Sequence, residues 1–146
     1  MLGSGIFRRE DWKTLDCNSA HHPDFLAIIP PLPPAVKAVE WDEIEWIHGI
    51  TSVYLWDARL ILKEIVGILK LDGKLVLEQP DFNKARARQA WLFGDPSARD
   101  SRIMNRWSYT PEELFEELKA AGFSRIEILP AQHHVPARDF RVEAWK

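Results

Sequence analysis

Two glycines bracket a serine near the start of the chain, Leu2-Gly3-Ser4-Gly5, and Asp16 closes the alternating run Trp12-Lys13-Thr14-Leu15-Asp16. A turn of small residues lets backbone amides approach a ligand closely, and an acid at the end of the next strand can accept hydrogen bonds from both hydroxyls of a ribose. Gly3, Ser4, Gly5 and Asp16 fit those two jobs, although Gly-x-Gly is common and a plain tight turn accounts for the same residues. The dinucleotide fingerprint wants a third glycine where this chain has Arg8. The short interval from Gly5 to Asp16 also leaves little room for a crossover helix, which speaks against a nicotinamide cofactor.

Other groupings carry weaker chemistry. His21-His22 and His133-His134 invite a metal reading, but adjacent residues of a strand point to opposite faces, and a loop location explains both pairs without a metal. Arg86, Arg88, Arg99, Arg102 and Arg106 surround Trp91, Phe93 and Trp107. Guanidinium forks suit a phosphate or carboxylate, yet a solvated surface anchored by aromatics is the commoner origin of such a pattern. The lone cysteine, Cys17, forms neither an internal disulfide nor a cysteine metal cluster, so nothing points to an oxidising compartment.

The positioning elements must fit one domain, because 146 residues enclose one sizeable core. With 46% hydrophobic and 28% charged residues the chain has the balance of an ordinary soluble globular protein. A net charge of -3 supplies no basic field for nucleic acid. No run approaches the roughly 20 apolar residues that span a bilayer, and the N-terminus lacks the layout of a signal peptide. The expectation is a cytoplasmic protein with no nucleic-acid or membrane partner. Seven tryptophans, if exposed, would mark a contact surface.

Along the chain, the prolines between Ile28 and Pro34 exclude a regular helix or a central strand, so His21 to Pro34 reads as an ordered loop or extended segment. A short helix is expected near Pro34–Glu40. Glu43-Ile44-Glu45-Trp46-Ile47 alternates as a strand does, ending at a His48-Gly49 turn. Leu60, Ile61, Ile65, Ile68 and Leu69 recur at helical spacing between about Trp56 and Lys70. Asp57 is a candidate cap for that helix and Asp72-Gly73 its stop. Lys74-Leu75-Val76-Leu77-Glu78 reads as a buried strand halted by Pro80.

Thr110-Pro111-Glu112-Glu113 starts another helix, with a capping box from Glu113, and Gly122 ends it. Arg125–Leu129 and Phe140–Trp145 read as two final strands joined by a loop. Strands alternating with helices imply an α/β fold, a Rossmann-like, mostly parallel sheet with helices on both faces and an antiparallel strand at the C-terminus.

The succession Leu2-Gly3-Ser4-Gly5, Trp12–Asp16, Trp41–His48 and Ile68–Leu75, followed by Trp107–Glu112 and Ala121-Gly122-Phe123, resembles the class I S-adenosylmethionine-dependent methyltransferases of the short, type 11-like kind. That resemblance implies a seven-stranded sheet whose last strand runs against the others. It implies S-adenosylmethionine as cofactor, with Gly3, Ser4 and Gly5 along its methionine part, Asp16 on its ribose and Cys17 close to the same sugar. Ile47 and His48 would end the fourth strand and face the sulfonium and a small-molecule or carbohydrate-linked acceptor.

Methyl transfer from a sulfonium needs mainly in-line placement in a site closed to water. A base is needed only if the acceptor loses a proton, and His48 is the candidate because imidazole titrates near neutrality. A structural hydrogen bond at a strand end is the competing account of His48.

The family's first strand carries about five residues before the glycine turn, whereas Met1 and Leu2 stand there in this chain, so the sheet is expected to be N-terminally shortened. Where the family has a pattern like His-x-Leu-Glu-His, this chain has His48-Gly49-Ile50-Thr51-Ser52. These departures support an alternative, a non-catalytic interaction or scaffold domain that has lost or weakened cofactor binding. A sheet with an open edge could also recruit a second copy, giving a homodimer.

Overall fold

The apolar run Leu75-Val76-Leu77 lies at the middle of the main sheet and is buried on both sides. The computed structural model describes residues 1–6, 8–94, 97 and 104–146. In chain order the elements are β1 (Leu15–Asp16), β2 (Phe25–Leu26), α1 (Pro34–Lys37), β3 (Trp41–Ile47), α2 (Leu55–Ile68), β4 (Leu69–Pro80), α3 (Phe82–Ala85), α4 (Gln89–Phe93), α5 (Pro111–Ala121), β5 (Arg125–Pro130) and β6 (Asp139–Trp145).

The main sheet has the order β3-β4-β6-β5, with β4 parallel to β3 and β6 antiparallel to both β4 and β5. Beside it, β1 and β2 form a parallel pair. Leu2 links the two, bridging to Leu15 and donating its amide to the Glu45 carbonyl at 2.7 Å. The Gly3 amide donates to the Leu15 carbonyl at 2.8 Å, and the Leu15 amide donates to the Met1 carbonyl at 2.9 Å. Met1 to Gly3 thus stands where a first central strand is expected. The α/β sheet with a reversed C-terminal strand agrees with the sequence reading.

Period-2 alternation sorts the strands into two faces. Ile44, Trp46, Leu75, Leu77, Phe140, Val142 and Ala144 join Ile61, Leu62 and Ile65 of α2 and Leu114 and Leu118 of α5 in one hydrophobic cluster. Burying each of the larger side chains contributes about 1.5–3 kcal/mol. On the opposite parity Lys74 pairs with Glu143 at 3.1 Å, and Arg141 pairs with Glu143 at 2.7 Å.

Local chemistry explains the ends of α5. Thr110 accepts from the Glu113 amide at 3.1 Å while the Glu113 carboxylate accepts from the Thr110 amide at 2.8 Å, a closed capping box. Gly122 leaves the helix with φ 111°, a conformation that costs glycine little.

Four expectations need correction. Asp57 does not cap α2. Tyr54 holds that position without a side-chain bond, and Asp57 lies in the first turn, where a carboxylate suits the helix dipole. Asp72-Gly73 does not stop α2, which ends at Ile68; instead Asp72, with φ 60°, lies in an irregular stretch of β4 where the register shifts between Trp41/Leu69 and Glu43/Lys74. The regular pairing of the Trp12–Asp16 run is confined to Leu15 and Asp16, with Asp11 at φ 65° upstream. Phe25–Leu26, just before the proline run, pairs as a strand with it.

Candidate functional site

A parallel strand ends where its neighbour ends, so β1, β3 and β4 deliver Asp16, Ile47 and Pro80 to one edge of the sheet. A cavity of about 670 Å³ opens there, lined among others by Gly3, Gly5, Asp16, Cys17, Ile47 and His48. Its volume lies within the usual range for small-molecule pockets. Ser4 is buried and is not among the lining residues.

The glycine turn and the acid are tied directly. Asp16 Oδ2 accepts from the Gly5 amide at 2.8 Å, and Oδ1 accepts from the Asn18 amide at 2.8 Å. His21 Nδ1 stands 3.3 Å from Oδ2. Burial works to raise the Asp16 carboxyl, but the Asn18 and Gly5 amides and His21 outweigh it, holding its pKa below the ordinary value. Gly3 and Gly5 have φ 59° and 56°, and a Cβ at Gly5 would meet nothing within 4 Å. At Gly5 the turn is therefore left-handed backbone facing open space beside an ionised carboxylate.

At the other end, the left-handed residue of the His48-Gly49 turn is His48 itself, at φ 54°. Gly49 is needed for a different reason: a Cβ there would lie 1.9 Å from Nε1 of the buried Trp46 indole. The His48 amide donates to the Glu78 carbonyl at 2.7 Å.

Because β6 runs backwards, its first residue, Asp139, reaches the edge where the parallel strands finish. His48 Nε2 is 3.0 Å from Asp139 Oδ2, and Arg138 grips the same carboxylate through Nε and, at 2.6 Å, through Nη2. Burial works to raise Asp139, while His48 and Arg138 lower it by more, so its pKa falls below the ordinary value.

The His134 ring stacks on His48, centroids 3.8 Å apart. Beneath them, Glu78 is fully buried and its oxygens accept from the amides of Gln132, His133 and His134 at 2.6–3.1 Å. Burial opposes the Glu78 charge, and these three amides more than offset it, lowering its pKa. His134 is shifted down, first by burial and then by His48.

His48, His134 and Asp139 carry ligand-type atoms within 4.8 Å of one another. As they stand they do not form a metal centre. Both Asp139 oxygens are engaged by Arg138, and stacked rings 19° from parallel direct their in-plane lone pairs side by side instead of toward one point.

Of the arginine and tryptophan cluster, Arg88 lies over Trp91 at 4.6 Å, and Arg106 donates to the Ser52 carbonyl at 2.6 Å. Trp91 and Arg106 line the cavity, while Arg86 is exposed outside it. Arg99 and Arg102 lie outside the described residues. Glu78, Arg138 and Asp139 were missed in the sequence. An acid ending the apolar run of β4 was the available signal for Glu78, since an unpaired charge is costly inside a sheet.

No family profile matches the chain, and no curated protein matches it by sequence. Solved structures do match by shape. An S-adenosylmethionine-dependent methyltransferase from Archaeoglobus fulgidus is 14% identical, covers 91% of this chain and 75% of its own, and has a TM-score of 0.64. One from Thermotoga maritima is 14% identical over 91% of this chain and 72% of its own, with a TM-score of 0.62. Human N-acetylserotonin methyltransferase, solved with S-adenosylmethionine, is 16% identical over 81% of this chain, with a TM-score of 0.54. The chain spans about a third of the length of that protein and of several O-methyltransferases, from 31% to 33%. At these identities the likeness is one of architecture: the chain has the fold of the class I S-adenosylmethionine-dependent methyltransferases.

Proposed function

We propose that this protein binds S-adenosylmethionine and transfers its methyl group to a small-molecule or carbohydrate-linked acceptor. The observation that carries the reading is that the glycine turn, the ionised Asp16 and His48 line one 670 Å³ cavity at the carboxyl edge of the sheet.

The residues present fit the cofactor. The open side of Gly5 leaves room for its methionine part, with Gly3 and Ser4 shaping the turn. Asp16, kept ionised, offers remaining lone pairs to the ribose hydroxyls, and exposed Cys17 flanks the same sugar. When bound, S-adenosylmethionine supplies an activated methyl on a positively charged sulfur. Ile47 contributes an apolar wall that helps exclude water, and His48 takes the proton from an acceptor that must lose one.

Among the described residues no helix is long and apolar enough to cross a membrane. Calorimetric titration with S-adenosylhomocysteine is expected to give saturable heat. No heat at millimolar ligand from folded protein overturns this reading and leaves the scaffold alternative.

A further inference from the structure

The base assigned above is only as good as its tautomer, and the surroundings of His48 bear on that directly. Its side chain keeps 30% of its surface exposed, whereas the Asp139 side chain against it has none. An ionised carboxylate only accepts hydrogen bonds, so the 3.0 Å contact requires the proton on His48 Nε2. Arg138 holds the same carboxylate through two nitrogens, Nε on Oδ1 and Nη2 on the Oδ2 that also meets His48. His134 covers one face of the His48 ring and is itself placed by Glu78, whose Oε1 lies 3.4 Å from His134 Nδ1. The strained φ of 54° at His48 costs on the order of 1 kcal/mol for a residue other than glycine, and such strain collects at functional sites.

We propose that Asp139 is a positioning residue that holds the proton on His48 Nε2 and leaves Nδ1 as the proton-accepting atom of the cavity. The contact stands on geometry, and its catalytic use rests on the methyltransferase reading. In that use the acceptor O–H proton passes to His48 Nδ1, the oxygen's electron pair forms the bond to the methyl carbon, and the pair of the breaking carbon–sulfur bond stays on sulfur. The imidazolium so formed lies against the Asp139 carboxylate and later gives its proton to water.

The test is long-range proton–nitrogen NMR of protein labelled at histidine. Neutral His48 is expected to carry its proton on Nε2, with a downfield N–H resonance characteristic of a carboxylate partner. Asp139→Ala loses that resonance and Asp139→Glu restores it, while S-adenosylhomocysteine affinity stays within about twofold. A proton found on Nδ1, or a resonance unchanged in folded Asp139→Ala, overturns the proposal. Should the alanine variant not fold, Asp139→Leu serves, because it keeps the approximate shape and offers no acceptor, and loss of the resonance is again the expected result. Absence of S-adenosylhomocysteine binding by the unaltered protein removes the methyltransferase reading and still leaves the resonance to report on the pair.

Discussion

The Gly5 amide and the Asp16 carboxylate meet at 2.8 Å across eleven residues of sequence. This contact locks the glycine turn to the end of β1, so the two parts of the candidate cofactor site move as one body. Asp16→Ala removes the acceptor of both the Gly5 and Asn18 amides. It also removes the carboxylate that accepts from the ribose hydroxyls in the proposed complex. Losing one hydrogen bond to a charged group costs about 1.5–3 kcal/mol, so S-adenosylhomocysteine affinity is expected to fall about tenfold to a hundredfold. Calorimetry on folded variant and parent checks it, and equal affinities would refute the role.

Two glycines separate a packing requirement from a propensity effect. Gly49→Ala places a Cβ 1.9 Å from the Trp46 indole nitrogen, and overpacking of this kind costs about 1–3 kcal/mol. Gly67 is exposed near the end of α2, and a Cβ there meets nothing within 4 Å. Gly67→Ala is expected to stabilise by about 0.5–1 kcal/mol. Urea unfolding midpoints, moving in opposite directions, decide both.

Glu78 organises the loop that carries His134. Glu78→Gln leaves one acceptor oxygen and introduces an NH2 group facing backbone amides that are themselves donors. The expected loss is about 3 kcal/mol, measured by denaturant unfolding, with disorder of the His134 ring seen as collapse of its stacked chemical shift.

Acid should weaken the fold in a defined order. His134 binds its proton more weakly folded than unfolded, so its contribution is present above the ordinary value of 6.5 and is lost as pH falls below it. Glu78 and Asp139 are also shifted down, so their contributions hold above 4.5 and 3.8 and are lost below. Melting temperature should therefore level off above about pH 6.5. His134→Asn should remove the upper part of the decline and keep the lower.

What the sequence revealed depended on how local the cause was. The Thr110/Glu113 box and the Gly122 stop involve neighbours a few residues apart, and both were legible. The end of α2 was not, because Asp72-Gly73 mimics a helix stop while serving as an irregularity in β4. Gly3, Gly5, Asp16, Ile47 and His48 were placed by the order of motifs, and the sheet brings them to one cavity. Asp139 gave no local sign, since its partner His48 lies 91 residues away and only the reversal of β6 brings them together.

The three-residue stitch from Met1 to Gly3 has a mechanical consequence. Met1 to Gly3 shares its backbone bonds between β1 on one flank and β3 on the other, so it ties the ribose end of the cavity to the imidazole end. A ligand long enough to touch both Asp16 and His48 would brace β1 against β3, and the Leu2 amide, which donates to the Glu45 carbonyl, should then exchange with solvent more slowly. Tightness of grip and rigidity of the sheet would rise together.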